Sequence, residues 1–463
     1  MIKGFMLAWM LVVLPHQGPS PREEGAPPPL SLERAVRIVL ANHPLGRSAD
    51  AAVARVDYLI RDLRAGLKGP RLNLNLFTGV VPEARGDIFF SPDKSDDLDN
   101  FGPFTRISLD LVQPLYSFGQ TGAALSAGES RREAEQHQRR QVRESLTLET
   151  IRAYCGGAAA ARAVELAKET RESYLRFKEE VTQRARDEES EVDDADLFEV
   201  QAFAYDIEEV CQASLKLKIL AERTLNALLG RDPDRPLILE RSFSPFALPD
   251  QDLLDGLVEK AEARHPQLCA LESAMTALQF RIDLAERRKR PVLFIAASLG
   301  LAWAPGREDQ TNPFVLDNFN FRRVGAALGL SWDPNFFRHN LQVRMASAEY
   351  DGVREKREAL RRQIGVAVHQ AFAEVESRVA LLESARRSMR SARSWLRLAY
   401  ENWGLGIGET WRMLRAYERY HRLLAKEVEQ EFSLQVALAG LARTAGDVNL
   451  YLDWKKNGRV AIH

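Results

Sequence analysis

The feature that most constrains this chain is that it is written twice. His43-Pro44, inside SLERAVRIVLANHP, returns as His265-Pro266 inside LLDGLVEKAEARHP. Pro70, before LNLNLFTGV, returns as Pro291 before VLFIAASLG, and Pro114, closing ISLDLVQP, returns as Pro334, closing AALGLSWDP. These offsets are 222, 221 and 220 residues. A later pair, Ala202 in LFEVQAFAYD and Ala416 in WRMLRAYERY, is offset by 214, so the first copy holds about six extra residues, placed in the acidic stretch 187–199. One shared dipeptide would be chance; an ordered series is a duplication.

Both copies follow one grammar. An amphipathic helix precedes the His-Pro, with Leu32, Ala35, Val36, Val39 and Leu40 at helical spacing. More helix-forming sequence runs to the proline, then two strand-like runs flank a polar loop, then a very long helical stretch begins. That stretch covers 117–186 in the first copy and 335–401 in the second, where Ile364, Val368, Ala371, Val375, Val379 and Leu382 keep spacings of three and four. A second helix follows each, over 193–229 and 410–445. At ~1.5 Å per residue the longer ones reach ~100 Å. A compact globule has no room for such rods, whereas side-by-side coiled-coil packing does.

The strand-like runs have a two-residue period. Leu72, Leu74 and Leu76 alternate with Asn73 and Asn75; Ile107, Leu109 and Leu111 alternate with Arg106, Ser108 and Asp110. In the second copy Leu293, Ile295, Ala297, Leu299 and Leu301 alternate with small residues, and Val324, Ala326, Leu328 and Leu330 alternate with Arg323, Gly325, Gly329 and Ser331. Strands of about 9–11 residues suit a tilted membrane crossing. Phe77, Phe104, Phe294, Trp303, Phe321 and Trp332 lie near the ends of these runs, where interfacial girdles form. Four strands cannot close a barrel alone, and lipid does not tolerate an open edge, so a membrane role requires several chains to share one barrel. The alternative is a soluble periplasmic coiled-coil scaffold with a small sheet cap.

The N-terminus favours export. Lys3 precedes the apolar run 5–14, too short to span a bilayer but suited to a signal-peptide core. No small-x-small site fixes the cleavage, so the expected division is a signal peptide over 1–19 and a flexible linker over 20–30. The first repeat then covers 31–240, with strands at about 71–81 and 104–113 and a hairpin over 117–230. The second covers 251–447, with strands at about 292–303 and 321–332 and a hairpin over 335–445, leaving a C-terminal tail at 448–463. No Cys follows the apolar run, so no lipid anchor is expected. Lys plus Arg total 64 against 65 for Asp plus Glu, which argues against a nucleic-acid binder.

These motifs in this order resemble the TolC-type outer-membrane efflux family of Gram-negative bacteria. The matching segments are SLERAVRIVLANHP, QPLYSFGQ leaving the second strand, its degenerate repeat SWDPNFFR, EARHPQL opening the second copy, and the last hairpin around GLGIGETWRMLRAYERY. The likeness extends over about 30–447. It implies a mainly helical chain with membrane strands: a homotrimer in which each chain gives four strands to one twelve-stranded barrel, with the helices forming a periplasmic tunnel. The implied function is a passive outer-membrane exit duct of a tripartite efflux or type I secretion system. Its implied partners are outer-membrane lipid, an inner-membrane transporter and a periplasmic adaptor.

By that likeness the inner mouth lies at the turns 187–196 and 403–409. Acidic residues often follow the second turn in the family; here Arg412 and Arg415 stand there, a departure. The first turn carries Asp187, Glu188, Glu189, Glu191, Asp193, Asp194 and Asp196, and an ion-paired latch between this lobe and the two arginines is expected. Gly404, Gly406 and Gly408 fit a tight turn facing the adaptor, and Pro114 and Pro334 mark the corners between barrel and helices.

Catalytic chemistry is not expected. No Gly-rich phosphate loop ends in Gly-Lys-Ser/Thr, no HExxH occurs, and no two histidines fall three or four apart. Ser126 lacks the strand-to-helix elbow of a hydrolase nucleophile. Cys155, Cys211 and Cys269 are too scattered for a disulfide framework or a zinc site. No cofactor follows from such a chain.

Overall fold

The computed structural model describes residues 29–85, 95–186, 192–240, 252–310, 312, 314 and 316–458. The expected signal peptide, the linker up to residue 28, and Asp187, Glu188, Glu189 and Glu191 lie outside the described residues. The first copy contains α1 (Leu32–Asn42), α2 (Pro44–Lys68), β1 (Arg71–Arg85), β2 (Ser95–Tyr116), α3 (Gln120–Arg184), α4 (Asp194–Ala202) and α5 (Ala204–Leu229). The second contains α6 (Asp252–Arg264), α7 (Pro266–Arg287), β3 (Val292–Trp303), β4 (Phe321–Ser331), α8 (Phe336–Gly404) and α9 (Thr410–Thr444), followed by α10 (Asn449–Asn457). No described helix is long and apolar enough to cross a membrane.

The His-Pro dipeptide is a helix break. The His43 backbone N–H still bonds Val39 O, closing α1, while its Nδ1 accepts from Leu45 N at 3.3 Å. Pro44 then opens α2, where its missing N–H costs nothing. His265-Pro266 occupies the same joint between α6 and α7, but its side chain makes no such cap.

α3 and α8 are continuous for 65 and 69 residues, so each rod reaches ~100 Å. The second helix of the first hairpin, expected as one piece, breaks at Phe203 into α4 and α5. α3 packs along α7, α5, α2 and α9, and α8 packs along α9, α7 and α6, so the two copies interleave.

The main core is a belt midway along the rods, where Val39, Ile151, Leu225, Leu257, Val368, Leu438 and Leu441 are buried from six different helices. Burying such side chains stabilises by about 1.5–3 kcal/mol each. Part of the C-terminal tail belongs to this belt. α10 inserts Tyr451 and Trp454, the Tyr451 hydroxyl donates to Gln435 Oε1 at 2.7 Å, and Cys155 Sγ lies 3.7 Å from it. The aromatic pair at 451 and 454, three apart, is the apolar stripe that orders this segment. Leu30, at the end of the expected linker, is also buried and bridges to Leu239.

The four strands form one antiparallel sheet in the order β1-β2-β3-β4, so the central pair joins the two copies. β2 begins at Ser95, well before the expected 104, and ends at Tyr116. Pro114 therefore lies inside β2, opposite Phe294, at a register shift that precedes Tyr116. The turn into α3 falls later, where Phe118 (φ 49°) and Gly119 (φ 84°) take left-handed conformations. Pro334 does sit between β4 and α8; the helix starts on Asn335, whose side chain accepts from Arg338 N at 3.1 Å.

Candidate functional site: the two sheet faces and the helical tip

The register assigns every strand residue to a face. Three rows run across the sheet on one side: Leu72–Leu111–Ala297–Ala326, Leu74–Leu109–Leu299–Val324, and Leu76–Ile107–Leu301–Arg322. The interleaved rows on the other side are Asn73–Asp110–Ser298–Gly325, Asn75–Ser108–Gly300–Arg323 and Phe77–Arg106–Ala302–Phe321. The first face is apolar apart from Arg322 near its loop end, and it is left open: Leu74 is 67% exposed and Val324 85%. Leucines this exposed in a continuous patch require a covering medium. The second face is mostly polar, charged or small, with Phe77 and Phe321 near its loop end, and suits a water-filled lumen.

The aromatics expected at interfacial girdles divide between the two faces. Trp303 and Trp332 continue the apolar rows, but Phe77, Phe104, Phe294 and Phe321 have the opposite parity and stand on the polar face. There the Phe294 and Phe321 rings lie over glycines: a Cβ at Gly329 would come within 2.5 Å of the first, and one at Gly300 within 3.0 Å of the second. These glycines are spaces filled by a neighbour's ring. The parity was readable, since Phe77 follows Leu76 directly.

At the far end of the sheet from the helices, the segment joining β3 to β4 turns onto the polar face. Phe319 packs edge-on to Phe104, with 5.7 Å between ring centroids, and the Arg307 guanidinium lies 4.1 Å from the Phe319 ring. Arg307 also donates to Pro82 O at 2.6 Å, and Asp317 accepts the backbone N–H groups of Gln310, Phe319 and Asn320. At the near end, side chains tie sheet to helices. Gln113 Nε2 donates to Lys68 O at 2.9 Å, Gln120 Nε2 to Arg290 O at 3.0 Å, and Trp332 Nε1 to Lys289 O at 3.0 Å.

The tip of the rods holds a second small core of Tyr174, Phe177, Val181, Val200, Ile207, Trp403, Met413, Leu414 and Tyr417. α8 ends in a Schellman closure: Gly406 N–H bonds Trp403 O and Ile407 N–H bonds Asn402 O, with Gly406 at φ 75°. A Cβ at Gly408 would come within 2.8 Å of Trp403 N, so the chain passes too close there for a side chain, whereas Gly404 faces open space. Leu405 and Ile407, between these glycines, are exposed.

Among the described residues, the expected latch is not made within the chain. Arg412 Nε pairs with Glu409 Oε2 at 2.7 Å, one turn earlier, and both Arg412 and Arg415 lie over Trp411. Asp193 and Asp196 form the capping box of α4: Asp193 Oδ1 accepts from Asp196 N at 2.9 Å, and Asp196 accepts in return. Asp194 lies in the first turn of the same helix. Asp193 and Asp196 thus take part in starting a helix. What joins the hairpins instead is Arg184 of α3, which donates to Trp403 O at 2.8 Å and Gly404 O at 3.1 Å with its guanidinium 4.1 Å from the Trp403 ring. Nearby, the Tyr400 hydroxyl donates to Glu180.

A buried polar cluster sits where the copies meet in the belt. Arg140 donates to Glu144 at 2.9 Å and to Gly446 O at 2.8 Å. Burial raises the Glu144 carboxyl to about 7, although Arg140 opposes the shift. Burial, with Arg443 and Arg140, lowers His265 to about 4. Gly446 (φ 84°) lies against His265, where a Cβ would meet backbone at 3.1 Å.

Comparison with known proteins gives a consistent result. The family model described as outer membrane efflux protein matches residues 35–187 and 257–447. No curated protein matches in sequence. Among solved structures, CusC is similar with a TM-score of 0.72 at 16% identity, covering 90% of this chain and 92% of CusC. A membrane protein from Pseudomonas aeruginosa gives 0.70 at 20% identity, covering 90% and 93%. The CmeC outer membrane channel of Campylobacter jejuni gives 0.69 at 14% identity, covering 92% and 89%.

Proposed function

This chain belongs to the outer membrane efflux protein family, a transport family of the Gram-negative outer membrane with a periplasmic helical part, and from that premise we propose that it is the exit duct of a tripartite efflux or type I secretion system. Three chains pool their strands into one barrel of twelve, and the hairpins continue it as a tunnel through the periplasm. Substrates handed over by an inner-membrane transporter, through a periplasmic adaptor, leave passively.

The observation that carries this reading is the sheet. It has an open apolar face, an opposite polar face, and two edges, β1 and β4, with no partner among the described residues. Lipid against the apolar face and a neighbouring chain at each edge resolve all three at once. The exposed Leu405 and Ile407 beside the tip glycines fit the adaptor's hairpin. We place Arg412 and Arg415 at the aperture, opposite Asp193, Asp194 and Asp196 of a neighbouring chain; R412E/R415E is then expected to raise single-channel conductance, and unchanged conductance would overturn that contact.

The test of the reading is the mass of protein extracted from outer membranes in mild detergent, with detergent subtracted. A mass of three chains is expected. A monomer released by carbonate washing would restore the soluble scaffold.

A further inference from the structure

On the polar face, two arginines from adjacent rows stand together toward the loop end, apart from Arg71 at the helix end. Arg106 on β2 and Arg323 on β4 both reach the Phe321 ring, their guanidinium carbons 5.6 Å and 4.1 Å from its centroid. The ring lies across Gly300, where even a Cβ would come within 3.0 Å, so it is a fixed support between two cations. Arg323 Nη2 also donates to the backbone carbonyl of Asp317 at 2.6 Å, which orients the guanidinium without neutralising it.

Among the described residues, neither arginine pairs with a carboxylate. The nearby Asp317 carboxylate is held by three backbone N–H groups and faces Arg307. In the three rows on this face β1 offers Asn73, Asn75 and Phe77, and β3 offers Ser298, Gly300 and Ala302, none of them charged. The one carboxylate in the rows, Asp110, lies four residues from Arg106 along β2, about 13 Å toward the helices. Glu83 and Glu308 stand beyond the arginines, at the loop end.

We infer that Arg106 and Arg323, supported by Phe321, form an anion-selecting collar in the outer half of the lumen, which binds exiting solutes that carry carboxylate, sulfonate or phosphate groups. The inference rests on the shared-barrel reading, which repeats the pair around the axis. A guanidinium stacked on an aromatic ring keeps its planar fork free for bidentate contact with an oxyanion. A low-dielectric wall on the lipid side strengthens the field at that level.

The experiment is block of the reconstituted full-length channel by tripolyphosphate, added to each side of a planar bilayer in turn. Block is expected from one side at low salt, and it weakens at high salt as the charges are screened. R106Q/R323Q is expected to raise the half-blocking concentration about tenfold or more, while R106K/R323K, which keeps the charge, retains block. Equal block of wild type and R106Q/R323Q, or a conducting channel that tripolyphosphate does not block, overturns the collar and leaves the duct intact. A preparation that forms no channels overturns the duct, and the collar with it.

Discussion

Arg184 and Trp403 tie the two hairpins together at the tip: one guanidinium caps the end of α8 and stacks on the indole of the residue whose carbonyl it holds. A cation at a helix C-terminus is favourable by about 0.3–1 kcal/mol, and stacking on Trp adds roughly as much. R184A is expected to cost about 1–3 kcal/mol locally and to speed hydrogen exchange at 402–407 severalfold, leaving the belt unchanged. The same variant is expected to conduct more than wild type. Unaltered exchange at the tip would show that the second core holds it without this residue.

The sheet faces make a paired prediction. Leu74 and Asn75 are neighbours on opposite faces. L74R places a charge against lipid, at about 2–4 kcal/mol per chain near the midplane, and is expected to prevent carbonate-resistant insertion. N75R turns its charge to the lumen and is expected to insert normally. Equal insertion of the two would refute the face assignment.

Glu144 predicts a pH dependence. Its carboxyl titrates near 4.5 in the unfolded chain and about 7 in the folded one. Between those values the folded state binds the extra proton, so this group's contribution to stability falls as pH rises from 4.5 to 7. E144Q removes the penalty while keeping an acceptor for Arg140, so it is expected to match wild type near pH 5 and exceed it at pH 8 by on the order of 1–3 kcal/mol. His265, held near 4, acts with the opposite sign: it costs stability as pH falls from 6.5 toward 4. Thermal melts of E144Q and E144Q/H265N across pH 4–8 separate the two.

Gly446 cannot carry a side chain cheaply. Its φ is 84°, and a Cβ would press on the His265 and Arg264 backbone, which cannot swing aside. G446A is expected to lower stability by about 1–3 kcal/mol. G404A, in open space at the tip, is expected to be neutral within about 0.5 kcal/mol. Denaturant midpoints in detergent measure both.

The sequence made the duplication legible because helix-breaking prolines recur at fixed offsets, and it made the faces legible because alternation is a property of the strand itself. Which residues meet across the tip was not legible. Arg184 and Trp403 are 219 residues apart, and nothing in the local pattern marks either one. The acidic turn suggested ion pairs, yet a helix start uses the same residues, and Asp193 and Asp196 serve there. The 448–463 segment is not a free tail, and its own sequence gives the reason: Tyr451 and Trp454 are too large and apolar to leave in water.

The strand order has a genetic consequence. Because β1 and β4 are both edges, a chain cannot protect its own sheet, and in the proposed ring of three every seam is made by two different molecules. A copy damaged at one edge but able to join at the other enters the ring and spoils it. In a cell making both forms, the share of sound rings then falls as the cube of the sound fraction of chains. Edge-strand alleles of this protein are therefore expected to be dominant, whereas alleles that unfold the rods before assembly remove only themselves.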